Sequence, residues 1–163
     1  MRAPSRGRRA RRPRLLSLVA VIACFAAVPA RRAAAQYSVS QVQPLTFGYL
    51  TQGLTEVVPY TDAFRRGVVT IDGTGQAWIR LVMPTSLVGP LGATIPLQFL
   101  AGDVASQDSG KPASGFDPAT STRVNLGRGT ASLFIGGRAV PAADQRAGVY
   151  SATVTIIVSS TKI

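Results

Sequence analysis

The chain has 163 residues, with 18 lysines and arginines against seven aspartates and glutamates. Nine of the basic residues precede position 36, where no acidic residue occurs, whereas nine basic and seven acidic residues follow. The high isoelectric point therefore belongs to the N-terminal segment, and the rest of the chain lacks the basic excess expected of a nucleic-acid-binding domain. The chain has no histidine, and Cys24 is its only cysteine. These absences exclude the usual catalytic pairs and metal sites from residues 36–163, so we expect no catalytic residue, cofactor or metal.

The first 35 residues have the three-part layout of a secretory signal peptide. Arginine-rich residues 1–14 precede the apolar run Leu15–Val28, and small residues follow as far as Ala35. The apolar run is shorter than the about 20 residues that a transmembrane helix needs. We expect residues 1–35 to direct export, so that the mature protein is secreted, periplasmic or at the cell surface and meets the membrane only through this signal.

The sequence leaves the details of export open. Cleavage after Ala35 is preferred because it removes the two arginines at positions 31 and 32, and cleavage after Ala30 is an alternative. The residues VIAC, which end at Cys24, resemble a lipidation site, and an arginine pair at 11–12 faintly resembles a twin-arginine signal. A retained N-terminal anchor is the remaining alternative to cleavage.

Residues 36–43 are interpreted as an N-terminal arm, followed by one domain at 44–163. Within the arm, the apolar residues Tyr37 and Val39 are two positions apart, as in an alternating strand, but the next apolar residue, Val42, is out of this alternation. Beyond it, apolar residues recur at every second position in short runs, which predicts strands. The predicted strands are Leu45–Leu50, Leu54–Val58, Arg66–Ile71, Gln76–Met83, Thr94–Leu100, Ser121–Leu126, Ala131–Val140 and Val149–Val158.

Two of these strands alternate clearly. In Gln76–Met83, residues 77, 79 and 81 lie on one face of the strand, and Trp78, Arg80 and Val82 lie on the other. Pro84 ends the strand because proline cannot donate a ladder hydrogen bond. In Val149–Val158, the even-numbered residues from Tyr150 to Val158 share one face.

Turn-forming residues separate the predicted strands. Asp72–Gly75 is expected to close a hairpin, and Gly127-Arg128-Gly129 marks a further bend. Seven or eight short strands at this spacing predict an antiparallel, immunoglobulin-like β-sandwich, with a small closed barrel as the alternative. Ala101–Thr120 is polar and is interpreted as a long exposed loop.

Several segments resemble the bacterial family catalogued as domain of unknown function 4402. They are Leu45–Gly48, Val82–Leu87 and Ile135–Val158, whose most specific stretch runs from Gly136 to Tyr150. The resemblance covers nearly the whole mature chain. It implies an exported, pilin-like β-sandwich, distantly similar to spore coat protein U and fimbrial subunits.

The residues that carry the resemblance are interpreted as structural. Phe47 is expected to be a core aromatic, and Gly48 to let the chain bend or approach a neighbour closely. Gly148, two residues before Tyr150, suggests a tyrosine corner, with a plain core tyrosine as the alternative. The remaining structural positions are Pro84, Gly136 and Gly137.

Other chemistry has weaker support in the sequence. Asp103, Asp108 and Asp117 in the polar loop match no known calcium loop, and turn formation accounts for them better. Arginines at 65, 66, 80, 123, 128 and 138 are a candidate basic patch, but a solvated sheet face protected against edge pairing is the preferred explanation.

The expected function is non-enzymatic. An exported surface protein of the pilus or fimbria type would act through protein partners or self-association, for which residues 36–42 are a candidate donor strand. A self-sufficient monomeric sandwich is the alternative for its assembly state. The alternative function is carbohydrate or small-ligand binding through Tyr60, Trp78 or Phe116, although a tryptophan within a strand is more typical of a core. No nucleic-acid partner is expected.

Overall fold

A computed structural model describes residues 37–127 and 129–163, so the predicted export signal lies outside the described residues. The described chain forms strands joined by turns and one short 3₁₀ turn at Pro90–Gly92. The strands are β1 (Tyr37–Gln43), β2 (Glu56–Val58), β3 (Gly67–Gly73), β4 (Gly75–Val82), β5 (Ser86–Val88), β6 (Thr94–Gln98), β7 (Val104–Gln107), β8 (Ser114–Phe116), β9 (Thr122–Gly127), β10 (Thr130–Ile135), β11 (Gly137–Ala139) and β12 (Thr155–Ser159).

The strands form three antiparallel sheets, which agrees with the predicted all-β sandwich fold. One sheet has the order β1-β3-β10-β7-β8, a second has the order β2-β11-β6-β5, and the third has the order β12-β4-β9. The twelve strands exceed the predicted seven or eight because several are only three or four residues long. Such short strands have too few residues to show alternation.

The main core lies between the inner faces of the five-stranded and three-stranded sheets. Ala77, Ile79 and Leu81 of β4 are buried in it, whereas Trp78 and Arg80 point to the opposite face. This confirms the predicted alternation of β4. The other buried members come from β3, β7, β9 and β10: Val69, Ile71, Val104, Val124, Leu126, Ala131, Leu133 and Ile135.

A second, smaller core is associated with the four-stranded sheet. Its buried residues are Phe47, Val58, Ile95 and Ala139. Leu45 packs against both cores and so links them. The segment Leu45–Leu50 was predicted to be a strand, but the structure has it as irregular chain. Its apolar residues pack against the two cores, and their spacing in the sequence therefore resembles that of a strand.

The polar segment Ala101–Thr120 is not the long exposed loop that was predicted. It contains the hairpin of β7 and β8, and Val104 and Ala105 are fully buried. β7 has only two apolar residues before Ser106 and Gln107, so its sequence shows no periodicity. Pairing with β10 decides its conformation.

The turn at Asp72–Gly75 does not close a hairpin. β3 pairs with β1 and β10, whereas β4 pairs with β12 and β9, so the turn carries the chain from one sheet to the other. The bend after Gly127 likewise leads from β9 in the three-stranded sheet to β10 in the five-stranded one. A Gly-rich turn indicates a reversal of the chain but does not specify the pairing partner.

The chain changes sheets again at Gly136, within the predicted strand Ala131–Val140. β10 ends at Ile135 in one sheet, and β11 begins at Gly137 in another. The Gly136 amide donates to the Asp103 carbonyl oxygen at 2.8 Å. A Cβ atom on Gly136 would collide with the Val58 carbonyl oxygen and would lie 2.7 Å from the Tyr60 nitrogen. Three backbone segments therefore meet where only glycine fits.

Replacement of Gly136 by alanine tests this packing. Because the colliding atoms belong to the backbone, we expect Gly136→Ala to lower the free energy of unfolding by about 3 kcal/mol or more. Chemical denaturation measures the change. Gly115→Ala is the matched control, since a Cβ there meets its nearest atoms at 3.6 and 3.7 Å. Equal stability of the two variants would contradict the proposed role of Gly136.

Candidate functional site: an apolar groove between two sheet edges

The outermost strands β1 and β12 border an open groove. β1 is an edge of the five-stranded sheet, and β12 is an edge of the three-stranded sheet. The two strands do not pair with each other. The space between them has a volume of about 1340 Å³ and reaches down to the main core.

Both edges present apolar side chains to the groove. Val39 on β1 stands opposite Ile71 in the ladder, so it faces the core side, yet 46% of it is exposed. On the other edge, Val154 and Ile156 line the groove and are half-buried. The floor is also apolar and is formed by Val69, Leu87, Ile95, Leu97, Phe99 and Ile135.

The chain before β12 forms one wall of the groove. The predicted strand Val149–Val158 is shorter in the structure, where β12 covers Thr155–Ser159. In residues 147–154, the backbone hydrogen bonds are the two that join Ser151 to Val88. The remaining amide and carbonyl groups of this extended wall have no backbone partner within the described chain. Such a row of free backbone groups is a template for strand pairing.

Tyr150 holds this wall against the second core. Its hydroxyl donates to the Arg146 carbonyl oxygen at 2.7 Å and accepts a hydrogen bond from Gln145 Nε2. The ring packs into the second core and fills the space where Gly89 would carry a Cβ. This is the arrangement of a tyrosine corner, in which the phenol ties a loop to the domain. Gly148 contributes by allowing Pro90 to approach its backbone closely.

The opposite wall, which begins at the end of β1, is held by the loop before β3. Gln43 Nε2 lies 2.8 Å from the Arg66 carbonyl oxygen and 3.0 Å from that of Phe64. The Thr46 amide donates to the Arg65 carbonyl oxygen at 2.9 Å. These bonds fix the direction in which the chain leaves β1 and enters the groove wall.

An ionic cluster organises that loop. Asp62 accepts hydrogen bonds from the Arg65 guanidinium at 2.8 Å and from the backbone amides of Phe64 and Arg65. The guanidinium bond, followed by the Phe64 amide bond, holds the pKa of the Asp62 carboxyl below its ordinary value. Arg65 also contacts Glu56 at 2.5 Å. The neighbouring Arg66 lies over the Phe134 ring, with 3.9 Å from its guanidinium carbon to the ring centroid.

The described lining of the groove is almost free of charged side chains. Its described lining contains no aspartate, glutamate, histidine or cysteine, and Arg146 is its one charged residue. The three aspartates considered for calcium accept hydrogen bonds from three separate backbone amides. Asp103 accepts from the Leu100 amide, Asp108 from the Asn125 amide and Asp117 from the Ala119 amide. No group of three potential metal ligands occurs within residues 37–127 and 129–163.

The described arginines considered as a basic patch do not form a single cluster. Arg65 is paired with carboxylates, and Arg138 Nε lies 3.6 Å from Asp103 Oδ2. Arg80 and Arg123 share the outer face of the three-stranded sheet, and Arg128 lies outside the described residues. In that described part, no helix is long and apolar enough to cross a membrane.

The structure places the predicted structural residues around this groove and the sheet change. Phe47 is buried in the second core, and Gly48 has a φ of +71° with free space around it, so it serves the bend and not a close approach. Pro84, Gly148 and Tyr150 line the groove. The Gly136-Gly137 pair lies at the change of sheet. The groove itself was not predicted, because it depends on which strand edges remain unpaired.

The aromatics considered for sugar binding differ in position. Phe116 packs against the main core, and Tyr60 is half-buried beside the ionic loop. Trp78 lies on the outer face of its sheet, whereas a tryptophan within a strand is more typical of a core. All three side chains are half-buried, and Trp78 is the one of the three that lies on the outer face of a sheet.

Comparisons with known proteins give little further guidance. No family model matches the chain, and no curated protein matches it. The chain is similar to a solved structure of a family 123 glycoside hydrolase from Clostridium perfringens, studied for glycolipid glycan hydrolysis, with a TM-score of 0.37 and 7% identity. The match covers 60% of this chain and 18% of that one. A likeness this distant supports no conclusion about activity, and membership of the family named from the sequence stays a prediction.

The ionic loop makes a pH-dependent contribution to stability. Because the Asp62 pKa is lowered by folding, its contribution is complete above the ordinary pKa of 3.8 and is lost as the pH falls through the lower folded value. We expect Asp62→Asn to destabilise the protein at pH 7, and the difference from the natural protein to shrink as the pH falls below about 4.

Chemical denaturation at a series of pH values measures this difference. Asp144→Asn is the control, because Asp144 forms no ion pair among the described residues. A difference between Asp62→Asn and the natural protein that stays constant with pH would contradict the assignment.

Proposed function

We propose that this protein is an exported, non-enzymatic structural or adhesion subunit that assembles by accepting an extended strand into its groove. The observation that supports this most is the groove between β1 and β12. It combines an apolar floor with a wall whose backbone groups are largely unpaired. Strand addition uses both features, since main-chain hydrogen bonds supply affinity and alternate side chains enter apolar pockets.

The size of the groove favours a polypeptide over a small molecule. Its volume of about 1340 Å³ exceeds the roughly 300–1,000 Å³ of typical small-ligand pockets. Its wall runs along Ala147–Ile156, which is long enough for a strand of ordinary length. The absence of carboxylates from the described lining supports binding without catalysis.

The occupant that we propose is β1 of a second copy. In the single chain, β1 pairs with β3 alone, and five of its seven residues are exposed. Its core-side residues include Tyr37 and Val39. The register shifts at a bulge between Gln41 and Gln43, which is where Val42 departs from the alternation of apolar residues. An exposed edge strand with apolar alternation can leave β3 and take the corresponding place in a neighbour, so the strand that a subunit receives lies between β3 and β12, where its own β1 had been. Head-to-tail exchange of this kind builds open chains of subunits.

Export is the second part of the proposal and is supported by the sequence of residues 1–35. A mature domain without cysteine cannot rely on disulfides, so its two apolar cores must stabilise it outside the cell. Assembly through a shared strand would bury the apolar surface of the groove, which is exposed in the single chain.

A reversible lock on β1 tests the exchange. Ser40 and Thr70 are directly opposite in the β1–β3 ladder. The mature chain has no cysteine, so Ser40→Cys/Thr70→Cys would form a single defined disulfide that holds β1 in place. We expect multimers of the reduced protein at high concentration and monomers of the oxidised protein, measured by light scattering. Monomers under both conditions, or equal multimers under both, would contradict exchange of β1.

A charged substitution in the groove tests the acceptor side. Val149 lines the groove and is 87% exposed, so Val149→Asp should block strand entry and leave the fold intact. Leu54→Asp is the matched control, because Leu54 is 63% exposed and lies outside the groove lining. We expect Val149→Asp to abolish multimers and Leu54→Asp to retain them. Equal effects of the two substitutions would remove the groove from the assembly mechanism.

A further inference from the structure

We propose that the outer face of the three-stranded sheet binds an acidic polysaccharide. This surface, the Trp78 face, consists of Trp78, Arg80, Arg123, Ile157 and Lys162. It lies on the side of β4 opposite the main core and does not contribute to the groove lining. The proposal is therefore independent of the strand exchange described above.

The register of the sheet brings these side chains together. Trp78 stands directly opposite Arg123 on β9, and Arg80 stands opposite Ile157 on β12. Residues 78 and 80 are two apart on β4, so they point to the same face. Lys162 Nζ lies 5.7 Å from the centre of the Trp78 ring. One aromatic ring thus shares a sheet face with three cations, of which Lys162 lies over the ring.

The three cations have no carboxylate partner within the described residues. The four ion pairs there involve Arg65, Lys111 and Arg138 instead. β4, β9 and β12 contain no aspartate or glutamate. Asp108, whose carboxylate accepts from the Asn125 backbone, is paired with Lys111 at 3.6 Å. The Trp78 face therefore carries three positively charged side chains that pair with no aspartate or glutamate side chain of the described residues.

The tail after β12 completes the surface. Ser159, at the end of β12, stands opposite Trp78 on β4. Ser121, which precedes β9, donates a hydrogen bond from its hydroxyl to the Ile163 carbonyl oxygen. The last residues thus lead from the β12 edge to the start of β9, and Lys162 is held over the indole on the way. This tether keeps a third cation close to the two arginines.

An acidic polysaccharide matches this combination of groups. The guanidinium groups of Arg80 and Arg123 can donate paired hydrogen bonds to sugar carboxylates, and the Lys162 ammonium can pair with a further carboxylate. Carbon–hydrogen groups of a sugar ring can contact the part of the half-buried indole that Lys162 leaves exposed. Single-stranded nucleic acid fits less well, because its binding sites stack successive bases on several aromatics in a basic groove. The Trp78 face offers one aromatic on an open sheet.

Titration with polygalacturonate, with neutral dextran as the comparison, tests the proposal on the mature protein. Trp78 is the only tryptophan of the chain, so its fluorescence reports on this face alone. We expect a saturable change with polygalacturonate that weakens as salt is added, and no change with dextran. Arg80→Gln/Arg123→Gln keeps the reporter and should weaken binding about tenfold or more.

Arg146→Gln is the matched charge control, because Arg146 is exposed and lines the groove instead. It should bind polygalacturonate as the natural protein does, and near-UV circular dichroism should be the same for all variants. No saturable signal at low ionic strength would overturn the proposal. So would equal weakening by Arg146→Gln, or tighter binding of a single-stranded oligonucleotide than of polygalacturonate.

Discussion

Face-to-face packing of two sheets whose outer edges do not meet governs the rest of this structure. The inner faces of β3, β7 and β10 close over those of β4 and β9 and bury the main core. At the open side, β1 and β12 each keep a free edge, and half-buried apolar residues remain between them. Burying that surface and pairing those edges would both be favourable. This unpaired, apolar side of the sandwich is where we propose that a partner strand binds.

The walls of the groove are held by different means. On the C-terminal side, the Tyr150 hydroxyl ties an extended segment to its own loop. On the N-terminal side, Asp62 and Arg65 order a loop whose carbonyl oxygens accept hydrogen bonds from Gln43 and Thr46. Neither wall depends on regular strand pairing along its whole length. The walls are therefore tied to the domain by these hydrogen bonds, and the C-terminal wall still has free backbone groups.

The two proposed surfaces lie on opposite faces of the three-stranded sheet. The inner side of β12 contributes apolar residues to the groove, whereas the outer side joins β4 and β9 in the basic Trp78 face. An added strand next to β12 would extend the sheet and leave the outer face free. Subunits joined through their grooves could thus each present a Trp78 face, and repetition of a weak site along an assembly raises its total avidity.

Local patterns in the sequence determined the strand character of most of the domain and the two faces of β4, because alternation follows from backbone geometry alone. They also indicated the tyrosine corner and marked Gly136 and Gly137 as structural, but they did not indicate the change of sheet at that pair. The sequence could not decide which face of β4 is buried, so the outward position of Trp78 came only from the tertiary structure. Nor could it decide that Asp72–Gly75 joins two sheets, or that Val104 and Ala105 form a buried strand. Strand pairing is non-local, and the groove exists because particular edges are left unpaired, which no short segment of sequence encodes.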